Sequence, residues 1–158
     1  MKKALGLLSV LFLLLAHLTN VFAQSDAGKY TNEGIVINPQ KYVPVDEFPG
    51  TIYAGPTYHT YTNNEVREVV DLITAFAASK IPVPLTKSTL FNWLFNKLSG
   101  WANDAIHPTY VGSWVTRATD PYDSNLYNYY VTVVYYQDST YNTPLEVQYY
   151  LTATERKR

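Results

Sequence analysis

Two hydrophobic periods divide the chain. In its last third, Leu145, Val147, Tyr149, Leu151 and Ala153 alternate with Glu146, Gln148, Tyr150, Thr152 and Thr154, which is the period of a strand with one dry and one wet face. Leu126–Tyr136 is apolar on both faces, with Val131 and Val133 on one side and Tyr130 and Val134 on the other, as expected of the central strand of three. Residues 110–118 set Trp114 opposite Val111 and Val115, and Gly112 leaves room for a large neighbour to press on the backbone. The joins Asp120-Pro-Tyr-Asp-Ser-Asn125 and Gln137-Asp-Ser-Thr-Tyr-Asn-Thr-Pro144 are dense in turn-forming residues. Together these runs predict an antiparallel meander with strands over 110–118, 126–136 and 145–154.

Upstream the period changes to that of a helix. Val66, Val69, Val70, Leu72, Ile73, Phe76 and Ala77 fall on one half of a helical wheel, and Arg67, Glu68, Asp71 and Thr74 on the other. Thr62-x-x-Glu65 has the form of a capping box, and Pro82 and Pro84 cannot continue the helix, so the first helix is expected over 64–80. A second helix over 87–99 carries Leu90, Phe91, Trp93, Leu94, Phe95 and Leu98 on a wider arc that includes Lys97, with Gly100 as the expected left-handed cap. Residues 51–62, around Gly55-Pro56, read as a broken strand or edge ribbon, and 34–38 as a short strand. The fold class is α+β: two amphipathic helices on one face of a C-terminal three-stranded antiparallel meander, with one or two weak N-terminal strands. The aliphatic side of the sheet is expected against the helices, its Tyr/Thr side free, and 110–118 as an open edge that allows oligomerisation by strand pairing.

The N-terminus adds an address. Lys2 and Lys3 precede an apolar run over 4–16, and Val21-Phe-Ala23 offers small residues for cleavage, so residues 1–23 read as a cleaved secretory signal peptide. A polar, proline-containing segment over 24–50 and a single domain over 51–158 follow. Cleavage leaves ten Lys/Arg against thirteen Asp/Glu, a net charge of −3 with no basic patch for nucleic acid. Cysteine is absent, which excludes thiolate chemistry and points to secretion from a Gram-positive bacterium that exports without routine disulfide formation.

Tyrosine is the sharpest compositional signal: ten of the fifteen lie between Tyr110 and Tyr150. Their rings offer rigid apolar area with a polar tip, and Trp114, Tyr127, Tyr129, Tyr135 and Tyr150 are the candidate binding residues for an extracellular protein or a wall glycan. A second reading is a membrane-acting, bacteriocin-like protein that uses the helical pair, with Phe91, Trp93, Phe95, Lys97 and Trp101 touching lipid. A third is a hydrolase in which Ser88, Ser99 or Ser113 meets His107 and Asp104, although no nucleophile-elbow motif is present. His59 and His107 lack metal-ligand spacing, so the expectation is a non-enzymatic protein with no metal and no cofactor.

Overall fold

The computed structural model describes residues 41–106 and 108–158. The expected signal peptide, the strand at 34–38 and His107 lie outside them. Six regular elements follow in order: β1 (Thr51–Tyr61), α1 (Val66–Lys80), α2 (Lys87–Asp104), β2 (Thr109–Thr119), β3 (Leu126–Tyr136) and β4 (Pro144–Arg156), with single 3-10 turns at Val45–Glu47 and Asn63–Glu65. The class is α+β, but the sheet has four antiparallel strands rather than three, in the order β1-β2-β3-β4.

The ribbon around Gly55-Pro56 is therefore a full strand. Two register shifts, between Ile52 and Ala54 and between Ala54 and Thr57, absorb the Gly-Pro pair while pairing to β2 continues on both sides. The helices carry the chain away from Tyr61 and return it at Thr109, and these two residues pair directly. β2 is consequently an interior strand. Among the described residues the edge strands are β1 and β4, which corrects the expectation of an edge at 110–118.

The helix boundaries follow from capping and packing. The Thr62 N–H donates to Glu65 Oε2 at 2.8 Å and closes the anticipated box. The α2 helix does not stop before Gly100 but runs to Asp104. Burying Trp101 and Ala102, each 6% exposed, outweighs the roughly 1 kcal/mol that a mid-helix glycine costs.

Strand parity decides what each face meets. Val111, Ser113 and Val115 pair with Tyr135, Val133 and Val131, and this side packs on Val66, Val69, Val70, Ile73 and Ala77 of α1 and Leu90, Leu94 and Leu98 of α2. In β4 the partners of Val131, Val133 and Tyr135 are Tyr150, Gln148 and Glu146. The row Glu146, Gln148 and Tyr150 of β4 thus faces the helices, and Val147, Tyr149 and Leu151 point to the opposite, outer face. The aliphatic side of β2 and β3 meets the helices as expected, but in β4 the expected faces are reversed as far as Leu151, beyond which a register shift returns Ala153 to the helical side. The cause is the width of the α2 arc: Trp101 stacks on Tyr135 (centroids 5.4 Å apart, 17° between planes), and Trp93 lies 5.3 Å from Tyr150. On this face Trp101 Nε1–H donates to Glu146 Oε2 at 2.7 Å and the Tyr61 hydroxyl to the Leu98 carbonyl at 3.1 Å, whereas Thr74 Oγ1 and Thr109 Oγ1 are buried without a partner among the described residues.

The outer face holds a second, smaller cluster of Phe48, Trp114, Val134, Tyr136 and Tyr141. Residues 41–50 cross it as a strap. Gly50, at φ 78°, lies against the Arg117 carbonyl where no side chain fits. The neighbour that presses on Gly112 is Trp114, whose ring would come within 2.5 Å of a Cβ placed there. Gly112→Ala is expected to lift that indole and cost about 1–3 kcal/mol, read as a lower urea midpoint with a red shift of tryptophan emission. Tyr61→Phe is expected to cost about 1 kcal/mol through the lost buried hydrogen bond, with no change in emission.

Candidate functional site

The residues chosen from the sequence fall on both sides of the sheet. Tyr127, Tyr129, Tyr135 and Tyr150 share the helix-facing side of β3 and β4. Tyr135 and Tyr150 are covered by Trp101 and Trp93. Tyr129 is 1% exposed and donates its hydroxyl hydrogen to Glu155 Oε2 at 2.7 Å. Tyr127 stays half-buried at the sheet end, with the Arg117 guanidinium 4.3 Å and the Lys157 ammonium 4.4 Å from its ring centroid. Tyr53 joins this group, edge-on to Tyr129 and 5.0 Å from Arg117. Trp114 lies alone among the five on the outer face, 1% exposed, between Phe48 (5.2 Å) and Tyr58 (5.8 Å). The five do not form one open surface.

The helical candidates divide likewise. Trp101 is buried, and Phe91, Trp93 and Lys97 are half-buried. Phe95 is 40% exposed and stacks on Phe91 with centroids 6.1 Å apart. The apolar arc of α2 is spent on the core, as Leu90, Leu94 and Leu98 are at most 1% exposed. No helix among the described residues is long and apolar enough to cross a membrane.

Among the described residues, the surface that nothing covers is the outer face beyond the strap. Cross-strand pairing places Ile52, Thr116, Tyr130 and Leu151 in one row across all four strands, and Trp114, Thr132 and Tyr149 in the next. Ile52, Tyr149 and Leu151 are 44%, 52% and 46% exposed. Tyr130 and Tyr149 meet edge to face, with ring centroids 5.9 Å apart. Thr116 and Thr132 are buried beneath the patch and share a 3.0 Å hydroxyl hydrogen bond. At the far end the row passes into a polar network, in which Asn128 donates from Nδ2 to Asp120 Oδ2 and accepts at Oδ1 from the Thr154 hydroxyl. Backbone N–H groups of Tyr122 and Asp123, with Asn128, hold the Asp120 carboxyl below the usual range.

Sequence reasoning missed this patch because it placed the β4 apolar row against the helices. The register was the missing signal. Val131 and Val133 are the aliphatic inward pair of β3, and their partners in β4 are Tyr150 and Gln148, so the Val147–Leu151 parity had to face the other way.

The polar candidates assemble differently from the hydrolase expectation. Ser113 is fully buried, with its Oγ 2.6 Å from Thr57 Oγ1, which in turn lies 3.2 Å from His59 Nε2. A sealed hydroxyl of this kind presents no nucleophile to a substrate. Ser88 and Ser99 lie on α2, and no hydrogen bond joins either to Asp104 among the described residues. No group of three or more His, Asp or Glu side chains there is placed to hold a metal ion. Comparisons with models of protein families, with curated proteins and with solved structures find no match to this chain.

His59 lines a groove between β1 and α1 with Glu65, Glu68 and Val69, and burial lowers its pKa from the ordinary 6.5. Below pH 6.5 the unfolded chain takes up a proton at His59 before the folded chain does, so this contribution to stability is present above that pH and is lost on acidification through the folded-state pKa. Chemical denaturation of the wild type between about pH 7 and 5 should show stability falling, and His59→Gln should flatten that slope.

Proposed function

We propose that this chain is a secreted, non-enzymatic binding protein that takes an extracellular protein partner on the outer face of β3 and β4. The observation that carries the reading is the patch of exposed Ile52, Tyr149 and Leu151 around half-buried Tyr130, in rows of the sheet that contain no charged residue. Loss of charge at the centre and enrichment in tyrosine mark the core of protein interfaces. A polar rim is supplied at one end by Asp120 and Thr154, both hydrogen-bonded to the buried Asn128.

A protein fits this face better than a glycan. Sugar rings stack on flat aromatic platforms, whereas Tyr130 and Tyr149 stand perpendicular, and much of the patch is aliphatic. Secretion rests on the charged, apolar and small-residue pattern of residues 1–23, and origin in a Gram-positive bacterium rests on the absence of cysteine.

The test compares the wild type with a Tyr149→Lys, Leu151→Lys variant. Lysine is well tolerated on edge strands, so its thermal midpoint should move by no more than a few degrees. Each protein is immobilised and offered surface and secreted fractions of the producing cells, with and without protease treatment of those fractions. Retention that requires intact protein, and that weakens by about 2 kcal/mol or more in the variant, is the expected result. Retention that survives protease and is competed by wall polysaccharide would replace the protein partner with a glycan. Retention unchanged in the folded variant would remove the outer face from the function.

A further inference from the structure

The opposite end of the outer face, under the strap, holds a different chemistry. The Lys41 ammonium lies 3.8 Å from the ring centroid of Tyr58 and 4.5 Å from that of Tyr141. Those two rings are themselves 4.5 Å apart and inclined at 51°, so their faces form a shallow wedge with the cation in it. Tyr136 and Tyr110 stand edge-on to Tyr141 at 5.4 and 6.1 Å. The electronegative faces of Tyr58 and Tyr141 are the surfaces that meet the Lys41 ammonium.

The wedge is held by groups other than Lys41. Tyr141 takes a left-handed backbone, φ 55°, which is unusual for a bulky side chain. The Tyr141 N–H donates to the Asp138 carbonyl at 3.2 Å, the Tyr141 carbonyl accepts from the Tyr42 N–H at 2.9 Å, and its hydroxyl lies 3.1 Å from Thr60 Oγ1. Asp138 is occupied in its own turn, accepting from the Thr140 N–H at 2.9 Å. Tyr58 is fixed edge-on to Trp114, and the Tyr136 hydroxyl donates to the Tyr42 carbonyl at 2.8 Å. Lys41 itself is exposed. The rings are thus preorganised, and the cation they hold is the least restrained member of the group.

We propose that Tyr58 and Tyr141 form a binding site for a quaternary ammonium group, which Lys41 occupies in cis and a free ligand must displace. Ring faces without a carboxylate favour a diffuse, weakly hydrated cation such as trimethylammonium, because a primary ammonium gives up more hydration to sit there. A tethered lysine competes at high effective concentration and so masks the site in the resting protein. The site is separate from the apolar patch proposed above for a protein partner, and neither reading needs the other.

The test is a titration of the purified protein with choline chloride, followed by the ring-proton NMR signals of the tyrosines, with sodium chloride at matched ionic strength as control. The wild type and Lys41→Met are compared, with a second arm using phosphocholine. Lys41→Met is expected to show saturable shifts centred on Tyr58 and Tyr141, at least about fivefold tighter than the wild type. Phosphocholine binding as well as choline would assign the natural source to a phosphorylated head group, and choline alone to the free cation. Tyr141→Phe on the Lys41→Met background should keep binding, since the ring face remains, and Tyr141→Leu should lose it with the far-UV circular dichroism unchanged. If Tyr141→Leu fails to fold, the Lys41→Met titration decides alone. Absence of saturable shifts in folded Lys41→Met, or equal shifts with sodium chloride, would overturn the proposal.

Discussion

Everything on either side of the sheet depends on the parity of β3. This strand is hydrogen-bonded on both edges, and its side chains feed two cores: Tyr129, Val131 and Val133 on the helical side, Val134 and Tyr136 on the outer side. A slip of one residue would exchange these sets. It would bring Asn128 and Thr132 to the helices and carry Val131 and Val133 outward. The long joins on either side of β3 are held by aspartates that bind their own loops, Asp120 through the backbone of Tyr122 and Asp123, and Asp138 through that of Thr140. Those loops therefore help to fix the register that the valines select.

The helical side shows how a tyrosine-rich strand can serve as a core. Phenols are poor core groups unless the hydroxyl finds a partner. Here the rings reach across to the helix and the tips escape sideways: Tyr61 to a helix carbonyl and Tyr129 to Glu155. Desolvation raises the pKa of Tyr61, Tyr129 and Tyr136, so these groups stay neutral hydrogen-bond donors throughout the physiological range. The same solution brings Trp101 into the core, because its N–H meets Glu146. Trp114 has no such escape. Its indole N–H is buried without a partner, consistent with its position beneath a strap rather than within the main core.

Much of the fold was legible in local pattern. The capping box at Thr62 and the bounds of β3 needed only short-range information, and they stand; the α1 stripe holds except at its margins, where Leu72 is 50% exposed and Thr74 is buried. The fourth strand was obscured by Gly55-Pro56, which reads locally as a break and becomes a bulge only when β2 is present to pair on both sides. The termination of α2 was misread at Gly100 because a glycine at the edge of a pattern looks like a cap until Trp101 is known to be buried. The faces were misassigned for a different reason. Both parities of β4 contain large apolar or aromatic residues, and only the cross-strand partners of Val131 and Val133 tell which parity meets the helices. The candidate surfaces inherited that ambiguity: Tyr129, Tyr135 and Tyr150 went inward, and Val147, Tyr149 and Leu151 came out.

Both edges of the sheet are interrupted. β1 carries two register shifts around Gly55-Pro56, and the pairing of β4 with β3 shifts at Leu145 and again at Thr152, leaving residues 146–151 as its regular stretch. A row of backbone donors and acceptors can extend a sheet only where it is regular, and a proline supplies no N–H. A further strand laid along either margin would therefore find only a short regular run, residues 57–61 on β1 and 146–151 on β4, and the bulges that bend the edges limit the template each one offers.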